Sequence, residues 1–333
     1  MPRHGRIDFP GALHHVIIRG INRAAIFRDD EDRRDFLYRL GAGLKKTGLS
    51  CYAWALIPNH VHILLRTGSL PLTGLMRSLL TGYAMHFNRR HKRVGYLFQN
   101  RYKSILCEEK RYFLQLVRYI HLNPLRAGLV HDLQALNIYP WAGHSTIMGE
   151  YNEDWQDVRT IMSHFGADIQ EARKKYFTFI QDGIADGRRA DLTGGGLLRS
   201  YGGWDRVFSK KNKGERWRGD ERILGDSDFV QSVLAKAEER LTRRLESRVS
   251  GWDLLCLEEY AEKMFDIERK SISSKRRDRL VSRARSMFSW LAIGELGYSV
   301  GEVAAFLNIT PPAVSQALRR GRMIVEERGI KLP

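Results

Sequence analysis

The chain has 333 residues, 43% of them hydrophobic, enough for two or three domains with buried cores. Its formal net charge of +17 favours polyanionic partners, nucleic acid first among them. Three scattered cysteines, Cys51, Cys107 and Cys256, with no C-x-x-C pair argue against a disulfide scaffold or zinc ribbon, and no apolar h-region or bilayer-length apolar run argues for export or membrane insertion.

Residues 1–150 alternate strand-like and helix-like segments. LHHVIIRG (13–20) reads as a strand, and the acidic start and apolar spacing of 29–40 as a helix. SCYAWALI (50–57) is a second strand, Pro58-Asn59 a tight break, and 60–66 a third strand that pairs antiparallel with the second. Residues 71–88 read as a helix, YKSIL (102–106) as a fourth strand, and 110–123 as a helix closed by Pro124. That order predicts an α+β fold, a ferredoxin-like antiparallel sheet with helices on one face. Residues 151–250 read as a helical and glycine-rich basic connection: helical over 154–182, a loop around Gly194-Gly195-Gly196, a charged helix over 229–245. Residues 251–333 read as all-helical, with helices over 254–264 and 273–293, the second carrying a basic face of Lys275, Arg276, Arg277, Arg279, Arg283 and Arg285. In GYSVGEVAAFLNITPPAVSQALRRG (297–321), Ser299 can cap a helix and Pro311 can open another, which is helix-turn-helix spacing.

The chemistry concentrates in PNHVHILL (58–65) and RYIHLNPLRAGLV (118–130). Alternate side chains of a strand leave on one face, so His60 and His62 point the same way. They read either as half of a divalent-metal site or as two polar residues on the solvent face of an amphipathic strand. Tyr119 and Asn123, four apart on a helix, share a face. Singly, the tyrosine reads as a core residue and the asparagine as a helix cap. Jointly with the histidines, they suit phosphodiester chemistry: a phenol nucleophile beside a Lewis acid held by His60, His62 and the amide oxygen of Asn123. Mixed nitrogen and oxygen ligands suit Mg²⁺ or Mn²⁺. His121 should point elsewhere.

PNHVHILL with YIHLNPLRAGLV downstream resembles the single-tyrosine HUH transposases, most closely the REP-associated tyrosine transposases related to the IS200/IS605 group. HHVIIRGINR (14–23), GYLFQNRYKSIL (95–106) and YPWAGHS (139–145) fit the same family, the last departing from its usual YPWSSY and leaving His144 without an assigned role. The resemblance covers residues 8 to about 150. It implies that Tyr119 attacks single-stranded DNA at a palindromic hairpin, giving a 5′-phosphotyrosine and a free 3′-hydroxyl, with His60, His62 and Asn123 as metal ligands. It implies DNA as partner, for a monomer or homodimer. The expected setting is the cytoplasm, at the nucleoid, with no membrane partner. The alternative is a non-catalytic DNA-binding regulator of palindromic repeats.

Candidate DNA contacts in the first domain are Arg19, Asn22 and Arg23, the run Arg89, Arg90, Lys92 and Arg93, and Arg101 and Lys103. Lys210, Lys211, Arg216 and Arg218 around Trp217 supply charge with one stacking platform, or simply a solvated loop. Residues 274–309 resemble the DNA-binding domain of bacterial replication initiators but depart from its recognition sequence; Ser315, Gln316, Arg319 and Arg320 are the candidates to meet a groove of duplex DNA.

Overall fold

A computed structural model describes residues 7–333, apart from 69, 188, 190, 191, 193–219, 221, 250, 275, 277, 299, 331 and 333. It divides into two compact units, Met1–Ser232 and Val233–Pro333.

The first unit is built on a sheet of order β2-β3-β1-β4-β5. Its strands are β1 (Leu13–Arg19), β2 (Ser50–Ile57), β3 (His60–Arg66), β4 (Lys103–Cys107) and the short β5 (Ile223–Leu224). Pro58 and Asn59 form the two-residue link that sets Ile57 opposite His60, and β3 then runs antiparallel to β1 with Arg19 opposite His60 and Ile17 opposite His62. Helix α1 (Asp30–Thr47) starts where the Asp29 carboxylate accepts the Asp32 N–H, and ends at Gly48 with φ 68°.

The α+β architecture is as expected, but two details differ. Helices cover both faces of the sheet rather than one. Val16, Ile18, Val61, Ile63 and Leu65 pack under α1 and α2 (Leu72–Arg90). Leu13, Ile17, Leu64, Ile105 and Cys107 pack under α3 (Glu109–His121). The cause lies in the strands: β1 is buried at six successive positions, so apolar side chains leave on both sides and each side needs a cover. The sheet is also mixed, because β5 joins β4 in parallel.

Beyond α3 the chain makes α4 (Asn123–Arg126), α5 (Leu133–Asn137), α6 (Gly143–Met148), α7 (Val158–Met162) and α8 (Ile169–Asp182). Ile161, Tyr176 and Ile180, from the stretch expected to be a connection, join the core under α3. Helix α9 (Ser227–Val249) runs through the division between the units.

The second unit holds α10 (Leu254–Phe265), α11 (Arg279–Gly294), α12 (Val300–Phe306) and α13 (Pro311–Arg328) around a core that includes Leu257, Phe288, Leu291, Val303, Val314 and Ile324. Helix α11 begins later than its periodicity predicts, because the Asp278 carboxylate caps the Val281 N–H. Arg285 does not belong to a basic outer face. It is buried and donates to the carbonyls of Ile272 at 2.6 Å and Arg276 at 2.6 Å, and to that of Ser274, tying down the preceding loop. Helix α13 opens on Pro311 as expected, after Thr310. Ser299, Lys275, Arg277 and Gly194-Gly195-Gly196 lie outside the described residues.

Candidate active site

Strand alternation decides what reaches the α3 side of the sheet. On β3 it is His60 and His62; on β1 it is His15, Ile17 and Arg19. The helix above presents Tyr119, whose ring centroid lies 5.7 Å from that of His62 and 6.0 Å from that of His15. His60 and His62 stand edge to face, centroids 5.1 Å apart. His60, His62, Tyr119 and Asn123 all line one cleft of about 810 Å³, together with Arg19, Arg23, Arg101, Lys103, Arg126 and Arg189.

Both β3 imidazoles are held neutral. Burial, reinforced by the Arg19 charge, brings His60 down to about 4. Burial, then the neighbouring His15, His60 and Arg19, puts His62 well below its ordinary value. A neutral imidazole keeps a lone pair, the form that binds a metal. On His60 the choice of nitrogen is made locally: Nδ1 sits 2.7 Å from Asn59 Oδ1, and Asn59 is anchored by donating to the Arg23 carbonyl at 3.1 Å. An amide oxygen only accepts, so His60 carries its proton on Nδ1 and keeps Nε2 for a ligand.

Asn123 is not the last residue of α3, as the proline suggested. Leu122 caps that helix in a near-helical conformation and Asn123 opens the single turn of α4, with Pro124 near its start, where a missing N–H is harmless. The i, i+4 relation survives this junction. Asn123 Nδ2 donates to the Tyr119 carbonyl at 3.1 Å, so the amide oxygen is the atom left for the cleft. Two neutral imidazoles and an amide oxygen lining one cleft are a donor set that fits a divalent cation of the Mg²⁺ or Mn²⁺ kind. Arg126 lines the same cleft. Its guanidinium lies 5.3 Å from the Tyr119 ring centroid and donates to the carbonyls of Tyr119 at 3.3 Å and Gly183 at 3.2 Å.

The remaining expected residues scatter. Asn22 sits beside the cleft in a 3-10 turn with φ 50°. Arg89, Lys92 and Arg93 lie at or just beyond the end of α2. Arg90 is committed elsewhere: it pairs with Asp29 at 2.8 Å, Glu31 at 2.8 Å and Asp32 at 2.8 Å. Asp29, Asp32 and His91 bring ligand atoms within 4.8 Å of one another, but Arg90 already pairs with both carboxylates, and none of the three lines the cleft. Lys210, Lys211, Arg216, Trp217 and Arg218 lie outside the described residues. Ser315, Gln316, Arg319 and Arg320 are exposed on α13, and Arg320 shares a groove of about 540 Å³ with Arg279 and Arg283 of α11.

His121 turns away from the cleft, as expected, and His144 meets it in the core: both Nδ1 atoms bond the Tyr176 hydroxyl, at 2.7 Å and 3.0 Å. Sequence reading missed His15, Asn59 and Arg126. His15 and Asn59 lie inside the quoted motifs HHVIIRGINR and PNHVHILL, but only the β1–β3 register shows which of His14 and His15 stands on the His62 side of the sheet.

Residues 10–123 match the family model described as "Transposase IS200 like", a span that includes His60, His62, Tyr119 and Asn123. Among solved structures, the chain is similar to one titled "Structure of the REP associates tyrosine transposase bound to a REP hairpin", at 15% identity and a TM-score of 0.37, over 51% of this chain and 93% of that one. No curated protein matches the chain.

Proposed function

We propose, from the premise that residues 10–123 form an IS200-like transposase domain, that the chain cleaves and rejoins single-stranded DNA with Tyr119 as nucleophile. One observation carries this reading: His60, His62, Tyr119 and Asn123, drawn from a β-hairpin and a helix junction some sixty residues apart, line a single basic cleft.

In this reading the Tyr119 oxygen attacks a backbone phosphorus, the P–O3′ bond breaks, the phosphate stays on the tyrosine, and the departing 3′ oxygen takes up a proton. Attack by the 3′-hydroxyl of another strand reverses the step, so joining needs no external energy source. His60, His62 and Asn123 would hold Mg²⁺ or Mn²⁺, which supplies Lewis-acid polarisation of the phosphate when bound. Arg19, Arg23, Arg101 and Lys103 bring positive charge to the strand's phosphates. Arg126, over the Tyr119 ring, favours negative charge developing on the phenol.

The substrate class follows the motifs' resemblance to REP-associated tyrosine transposases: a palindromic hairpin with a single-stranded flank. Duplex beside the hairpin is assigned to the second unit, where Ser315, Gln316, Arg319 and Arg320 are exposed on a helix that follows a short turn.

The test is incubation of the full chain with end-labelled hairpin DNA and Mn²⁺, then a denaturing gel. A covalent protein–DNA band that vanishes in Tyr119→Phe is expected. Tight binding with no band under any divalent metal would leave the chain a non-catalytic binder of palindromic repeats.

A further inference from the structure

Behind the cleft, against His62, lies a third histidine that neither the motifs nor the family model assigns to a role. His15 is fully buried on β1. Its Nε2 lies 2.9 Å from His62 Nδ1, and the two rings stack at 5.1 Å with 29° between planes. Its other nitrogen, Nδ1, lies 3.3 Å from the Leu192 carbonyl.

Donor and acceptor rules orient this chain of contacts. A carbonyl oxygen only accepts, so His15 Nδ1 carries the proton. A neutral His15 then has a lone pair on Nε2, which must accept from His62 Nδ1–H. That leaves the lone pair of His62 on Nε2. Asn59 imposes the same tautomer on His60 from the other end of the pair. Two separate outer contacts therefore select the same ring nitrogen on both histidines, the arrangement that orients metal-binding imidazoles generally.

We propose that His15 is a positioning residue: it locks His62 in the Nδ1–H tautomer and fixes its ring, so that Nε2 presents to a divalent cation. This rests on the metal-site reading above. The alternative role, a fourth ligand, is ruled out by direction: the one lone pair of His15 is spent on His62.

The probe is Mn²⁺ alone, added to the full chain without DNA, with the unbound ion followed by electron paramagnetic resonance. His15→Phe, of similar volume but without ring nitrogens, should weaken Mn²⁺ binding about 10- to 100-fold. His15→Gln should stay within about threefold, because its amide donates to Leu192 and accepts from His62. His60→Ala should bind least. A wild-type chain with no Mn²⁺ affinity sinks the metal site and this inference with it. A wild-type chain that binds Mn²⁺, with His15→Phe binding as tightly, sinks the His15 inference alone. Should His15→Phe fail to fold, long-range ¹⁵N–¹H correlation on the histidine-labelled wild type decides: His62 protonated on Nδ1 is expected, and protonation on Nε2 overturns the proposal.

Discussion

His60 and His144 show how differently two histidines of one domain are used. His60 lines the cleft and is half-buried, with Nδ1 bonded to Asn59, the residue before it. Truncating it removes the proposed ligand but no basic charge, since the ring is neutral. His60→Ala should therefore abolish the covalent DNA adduct while fluorescence anisotropy shows hairpin affinity within about threefold of wild type. A parallel loss of binding would make the residue structural. His144 has no route to the cleft. It is fully buried in α6 against Tyr176 of α8, His121 of α3 and Asn137 of α5, and burial lowers it to about 3. Its folded value lies below its unfolded one, so the unfolded chain takes up the proton first as pH falls. Its contribution to stability is complete above about 6.5 and drains away toward about 3, by up to about 1.4 kcal/mol per pH unit. Urea midpoints measured between pH 6 and 4 should fall less steeply in His144→Gln than in wild type; equal slopes would place the acid sensitivity elsewhere.

Elements were legible where their ends carry chemistry and obscure where tertiary partners decide. Asp29 announces the start of α1 by a carboxylate cap, although the helix runs on past the expected residue 40 to the left-handed Gly48, and Pro58-Asn59 announces the hairpin that presents His60 and His62. The i, i+4 spacing of Tyr119 and Asn123 was readable too, although the helix breaks between them, because α4 continues in nearly helical conformation. The second helical cover was not, since an apolar run alone does not say whether one face or both are buried. Nor was β5, whose two residues carry no periodicity, nor the inward turn of Arg285, whose partners are carbonyls of a loop. Gly321 belongs to the same obscure class. A Cβ there would stand 1.9 Å from the Ser286 carbonyl oxygen, so α13 and α11 touch through backbone at that point. Gly321→Ala must push the helices apart, at a cost of about 1–3 kcal/mol. A fall of several degrees in the melting temperature of the second unit, with the Tyr119 adduct still formed, is the expected result; an unchanged melting curve would mean the crossing is looser than the structure has it.

At the scale of the whole molecule, the positive charge carried by the 55 lysines and arginines is not one reservoir. Part of it is consumed internally: Arg90 is bonded to three carboxylates, and Arg118 is paired with Asp186 at 2.9 Å. Another part faces the cleft through Arg19, Arg23, Arg101 and Lys103. Only charges that displace counterions from DNA enter the salt dependence of binding, at about 0.7 in log–log slope per single-strand phosphate neutralised. Four such contacts give a slope near −3, hence roughly 50-fold weaker binding between 50 and 200 mM salt. The two classes of arginine then separate in one titration. Arg23→Ala and Arg101→Ala should each flatten the slope by about 0.7 and leave the melting temperature nearly unchanged. Arg90→Ala should lower the melting temperature, because it removes the cation shared by Asp29 and the buried Asp32, and leave the slope alone. If Arg90→Ala flattens the slope as much as the cleft substitutions do, its carboxylate partners release it to DNA, and the basic run after α2 rejoins the binding surface that its sequence suggested.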